Sequence, residues 1–103
     1  MTYSDLVSSY RSNPREVPTA PKDKRQPAKW FYAYTKGNSV FVGSGRDHPN
    51  ACHISPNRRL PESEFDYMIK LYYRRKAGEP VSKEAKKSIC QSYWFGVFSE
   101  MLQ

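Results

Sequence analysis

The apolar positions of this chain recur with two different periods, and each change of period marks an element. Tyr3, Leu6, Val7 and Tyr10 stand at i, i+3, i+4 and i+7, one face of a short helix that Thr2 or Ser4 can cap. Two turns are marginal in water, so this helix depends on docking that face. From 13 to 28 the pattern stops. Pro14, Pro18, Pro21 and Pro27 exclude helix, and their fixed φ predicts an extended arm with solvated backbone. The arm turns basic toward its end through Lys22, Lys24 and Arg25, with Lys29 just beyond. It reads either as a tether for the first helix or as a strap that orders along a phosphate backbone.

Alternation takes over at Trp30. With Gly37 and Asn38 as central turn residues, both tolerant of positive φ, residues 30–43 predict a hairpin in which Lys36 faces Ser39 and Tyr34 faces Phe41. That register puts Trp30, Tyr32, Tyr34 and Phe41 on one side and Phe31, Ala33, Thr35, Val40 and Val42 on the other. Bulky rings bury the most area, so the ring side is expected to be core. The smaller side should then look outward or meet the N-terminal helix. Loops are expected over 43–50 and 55–59, with a short third strand over 51–54.

The helical period returns at Pro61, placed as a first helical residue. Glu62, Glu64 and Asp66 suit the positive end of the helix dipole, and Arg74, Arg75 and Lys76 suit the negative end. Phe65, Met68, Ile69 and Tyr72 form the stripe to be buried, and Gly78 with Pro80 stops the helix. Ser82 is expected to cap a last helix that buries Ala85, Ile89, Cys90, Tyr93, Trp94, Val97, Phe98 and Met101. The class is therefore α+β: a β-hairpin or small antiparallel sheet packed on two C-terminal helices. A short N-terminal helix over 1–12 and an extended Pro-rich basic arm over 13–28 precede one small domain over 29–103.

Charge changes the picture more than size does. At 103 residues the core is modest, and a formal net charge of +7 with pI near 9.5 favours a polyanionic partner. The N-terminus has no basic stretch followed by an apolar one, and no apolar run reaches membrane-spanning length, so a soluble cytoplasmic protein with no membrane partner is expected. Two cysteines, Cys52 and Cys90, are too few for a disulfide framework and are expected as free thiols.

The densest cations flank the connection between the last two helices: Arg74, Arg75, Lys76, Lys83, Lys86 and Lys87, opposed by Glu79 and Glu84. Helix ends at a connection share one end of a bundle, so these groups are expected on a common surface, which Arg58 and Arg59 extend if their loop folds alongside. A charge run of this kind is either a solvated face or a phosphate-contacting one. In the second case, four or five displaced counterions give log K a slope near −4 against log salt. A helix-turn-helix reading fails on the last helix, whose 89–98 stretch is nearly all apolar where a recognition helix presents polar residues.

The ring side of the hairpin has a second reading. Rings exposed on a sheet stack on unpaired bases beside cations that hold phosphates, and Lys29, Lys36 and Arg46 lie near these rings. The segments Tyr32-Ala33-Tyr34 and Phe41-Val42-Gly43 also resemble the paired strand motifs of GIY-YIG endonucleases. The first motif lacks its glycine, Phe41 stands where the family keeps a tyrosine hydroxyl, and a proline-containing loop replaces the helix that follows. The resemblance implies at most a degenerate nuclease. His48, Cys52, His53 and Cys90 do not have the spacing of a zinc site, because neighbours in an extended stretch point apart. No catalytic constellation, cofactor or metal is expected.

The leading expectation is thus a small basic nucleic-acid-binding accessory protein, of the kind carried by phages or mobile elements. Its predicted partner is DNA more than RNA, met through Arg58, Arg59, Arg74, Arg75, Lys76, Lys83, Lys86 and Lys87 with Lys22, Lys24 and Arg25 of the arm. The rival expectation is a protein-binding module or inhibitor that docks on a larger partner with an acidic surface.

Overall fold

The computed structural model describes residues 1–23 and 25–103; Lys24, one of the predicted contact residues, lies outside the described residues. Helix α1 (Tyr3–Ser12) is fixed at its start by a capping box: the Thr2 hydroxyl accepts from the Asp5 N–H at 3.3 Å, and Asp5 accepts from the Thr2 N–H at 2.7 Å. Its expected face is the one that docks, with Tyr3, Leu6, Val7 and Tyr10 all buried. The Tyr3 hydroxyl accepts from the Val40 N–H at 2.9 Å and donates to the Leu60 carbonyl at 2.5 Å. One side chain thus satisfies backbone groups on two neighbouring strands.

The sheet has four antiparallel strands in the order of the chain: β1 (Arg15–Pro18), β2 (Trp30–Lys36), β3 (Ser39–Ser44) and β4 (Arg58–Leu60). The hairpin register is the expected one, Tyr34 opposite Phe41 and Lys36 opposite Ser39, with Gly37 at φ 61° in the turn. Two strands fall where none was expected. Arg15–Pro18 belongs to the stretch read as a solvated arm, yet it pairs with β2 as an edge strand, where a terminal proline is tolerated. The last strand is Arg58–Leu60 and not 51–54: Leu60 pairs with Val40 and reaches the core from the sheet, whereas Ile54 is buried without joining a strand. Residues 51–54 instead cross the end of the hairpin through a single bridge between Trp30 and Ala51.

The faces of the hairpin are the reverse of the expectation. Phe31, Ala33, Val40 and Val42 are fully buried, whereas Trp30, Tyr32, Tyr34 and Phe41 are half-buried on the opposite side. The reason lies in the helices, which supply rings of their own. Trp94, Phe98 and Phe65 stack or meet edge to face at 5.4–6.1 Å, with Tyr3 beside them, and fill the layer above the sheet. A second set of rings from the strands would overpack it. Gly96 makes the tight approach visible, since a Cβ there would sit 2.9 Å from Phe31 Cε1 and 2.9 Å from the Pro18 carbonyl oxygen.

A 3-10 turn over Glu62–Glu64 precedes α2 (Phe65–Lys76), so Pro61 is extended and stands outside the helix. Phe65, Met68 and Tyr72 are buried as expected, Leu71 joins them, and Ile69 is only half-buried. Gly78 at φ 93° ends the element. The expected single last helix is two: α3 (Ser82–Ala85) and α4 (Gln91–Leu102), with Val81 rather than Ser82 at the cap position. The break is held by Glu64, whose carboxylate accepts from the Ser88 hydroxyl at 2.7 Å and from Trp94 Nε1 at 3.0 Å. It turns Ile89 outward to 78% exposure, against the expectation that Ile89 is core. Helices α1 and α4 pack on the side of the sheet that carries Phe31 and Val40, α2 packs on α4, and the other side carries the rings. Among the described residues, no helix is long and apolar enough to cross a membrane.

Candidate nucleic-acid interface

Strand alternation places Trp30, Tyr32 and Tyr34 of β2, Phe41 of β3 and Arg59 of β4 on the side of the sheet away from the helices. Three of the rings form a continuous row: Tyr32 and Tyr34 stack at 5.8 Å, as do Tyr34 and Phe41. Cations border it. Arg59 is the cross-strand neighbour of Phe41, Lys36 follows Tyr34 on the same face, and the Arg46 guanidinium lies 5.1 Å from the Tyr32 ring centre. None of the three pairs with a carboxylate among the described residues.

One end of the row is occupied by the loop after β3. His48 lies flat on Trp30, with ring centres 3.6 Å apart and planes within 6°. Glu16 of β1 holds this loop: its carboxylate accepts from the Arg46 N–H at 3.1 Å and the Asp47 N–H at 2.7 Å, and lies 3.4 Å from His48 Nδ1. Its side chain is only 6% exposed. Desolvation works to raise this carboxyl, but the two amides and the imidazole outweigh it and hold Glu16 below the ordinary glutamate value. Tyr34 and Phe41 carry no such cover from the loop.

Beside Tyr34 the surface dips into a cavity of about 450 Å³ lined by Tyr32, Tyr34, Gly43, Ser44, Arg46 and Asn57. Gly43 faces Tyr32 across the strands, and a Cβ on it would meet Asn57 Oδ1 at 2.9 Å. Glycine here gives the Asn57 amide room to lie against β3, where Nδ2 donates to the Tyr34 hydroxyl at 2.8 Å.

The cations singled out from the sequence divide among several roles. Arg74 is committed to carboxylates, at 2.5 Å from Glu84 and 3.1 Å from Glu79, and those hydrogen bonds hold its guanidinium above the ordinary arginine value. Arg75 is half-buried, donates to the Ala20 carbonyl and lies 4.8 Å from the Phe95 ring centre, so it ties the arm to α4; burial lowers its pKa. Arg25 pairs with Asp23 at 3.2 Å. Lys22, Lys76, Lys83, Lys86 and Lys87 are exposed and form no ion pair among the described residues, although Lys87 Nζ sits 5.3 Å from the Tyr67 ring centre. Arg58 and Arg59 are exposed on β4, with Arg59 facing the ring row.

Of the residues at this site, Arg46 and the rings were visible in the sequence, and Arg59 was singled out for a different surface. Asn57 carried no signal, because a loop asparagine after proline has nothing local to mark it. Cys52 and Cys90 are both free, and burial pushes both thiols above their ordinary value. Among the described residues, no three His, Cys, Asp or Glu side chains gather as a metal-binding group. No protein-family model, curated protein or solved structure matches the chain.

Proposed function

We propose that the chain is a small non-catalytic protein that binds single-stranded nucleic acid across the outer face of its sheet. The observation that carries this reading is the row Tyr32, Tyr34 and Phe41, half-buried on the side away from the helices and bordered by Arg46, Arg59 and Lys36. Unpaired bases stack on such rings for about 1–3 kcal/mol each, and the flanking cations hold the phosphates. The net charge of +7 draws a polyanion to the molecule from a distance. Duplex DNA hides the base faces that the rings would take. The cations of 74–87 are secondary in this reading, since Arg74 and Arg75 are engaged within the protein.

The test is fluorescence anisotropy with labelled single-stranded DNA and RNA of about twelve nucleotides, and with the matching duplex, over a salt series. Single strands should bind more tightly than duplex. Two phosphate contacts, from Arg59 and Lys36, at about −0.7 each predict a salt slope near −1.4. Tyr34→Ala with Phe41→Ala should weaken binding by about 1–3 kcal/mol per ring lost. Tighter duplex binding with a slope near −4 would return the interface to the cations of 74–87. Binding to an acidic polypeptide with none to any oligonucleotide would favour the protein-docking reading instead.

A further inference from the structure

We infer that the cavity beside Tyr34 is a base-reading subsite that prefers guanine; this rests on the sheet face binding single strands. The cavity pairs an aromatic wall with two polar groups of opposite character. On one side the Asn57 amide is oriented by its Nδ2 bond to the Tyr34 hydroxyl, which leaves Oδ1 as an acceptor with no donor among the described residues. On another side Arg46 offers guanidinium N–H groups that meet no carboxylate among the described residues. Ser44 adds little, because its hydroxyl already donates to the Ile54 carbonyl at 3.1 Å and accepts from the Ile54 N–H at 2.8 Å.

A base entering this space meets an acceptor and a forked donor. Guanine carries adjacent acceptors, O6 and N7, that match a guanidinium fork, and keeps N1–H and N2–H to donate to the amide oxygen. Adenine and thymine lack an adjacent acceptor pair on one edge, so the fork would be served by one bond and not two; cytosine offers O2 and N3 to the fork but only its N4 amino group to the amide oxygen, where guanine offers both N1–H and N2–H. The absence of a side chain at Gly43 is what keeps the amide in place, since a Cβ would collide with Asn57 Oδ1 at 2.9 Å. The rings bind any base by its face, and the two polar groups distinguish one edge from another.

The experiment uses an oligothymidine of about twelve nucleotides with its central base replaced in turn by guanine, adenine or cytosine, titrated into the full chain. The guanine oligomer should bind at least about fivefold more tightly than oligothymidine and the adenine oligomer, with the cytosine oligomer between. Asn57→Ala should remove that preference while keeping its affinity for oligothymidine within about twofold, and Tyr34→Phe, which frees the amide and keeps the ring, should remove the preference as well. Equal affinity for all four oligomers, or a guanine preference that survives in Asn57→Ala, overturns the subsite and leaves the sheet reading standing. No binding to any of the four overturns the sheet reading and the subsite with it.

Discussion

The two sides of the β2–β3 hairpin are equally apolar in sequence and have opposite fates. Phe31, Ala33, Val40 and Val42 are sealed under the helices, and Tyr32, Tyr34 and Phe41 are half-open to solvent. Area alone would bury the larger side. Volume decides otherwise, because α1, α2 and α4 already bring Tyr3, Tyr10, Phe65, Trp94 and Phe98 to the same layer, and a small complementary surface is what fits beneath them. The side left over is a ladder of rings with cations around it, the surface on which the proposed binding of a single strand rests.

Adjacent residues test this contrast most directly. Phe31→Ala should cost about 3–5 kcal/mol in chemical denaturation, as should Trp94→Ala, since both side chains are fully buried. Tyr32→Ala, one position along, should cost about 1 kcal/mol or less while weakening oligonucleotide binding. Equal losses of stability at 31 and 32 would erase the distinction between the faces. Gly96→Ala should cost about 1–3 kcal/mol, because its methyl group meets the Pro18 carbonyl oxygen and can be accommodated only by moving α4 off the sheet.

Smaller effects separate the cations. Arg75→Ala should lower stability by about 1 kcal/mol after allowance for solvent screening, through the lost bond to Ala20 and the contact with Phe95. Arg59→Ala should leave the melting temperature unchanged and reduce the magnitude of the salt slope by about 0.7 if it contacts one phosphate. A large fall in melting temperature at Arg59 with no change in slope would place its role inside the protein.

The least perturbing probe is pH. The Glu16 carboxyl is held below its ordinary value, so its grip on the loop is complete above about pH 4.3 and is lost as pH falls through the lower folded value. In a Trp94→Phe background, Trp30 emission should change across that acid range as His48 lifts away, and Glu16→Gln should abolish the transition. A transition that persists in Glu16→Gln would assign it to another titrating group and not to this carboxyl.

Much of the fold was legible locally. The face of α1, the hairpin register and the stop at Gly78 follow from periodicity and turn chemistry within a few residues, and all stand in the structure. What escaped was set by partners distant in sequence. Arg15–Pro18 becomes a strand only because β2 offers an edge, and the break before α4 is fixed by Glu64, 24 residues from Ser88. The inward side of the hairpin depends on what the helices contribute to the layer, which no window around the hairpin contains. For the candidate site, the alternation of rings was plain, but Asn57 entered through a loop whose path only the fold supplies.

Tyr3 links these matters from the far end of the chain. Strand β4 is three residues long and leans on a phenol that reaches it from α1, so removing or displacing the first helix would leave the Leu60 carbonyl without that donor. Arg59 rides on the same short strand. Trimming or fusing at the start of the protein would therefore be felt on the opposite surface, as a loosened guanidinium beside Phe41.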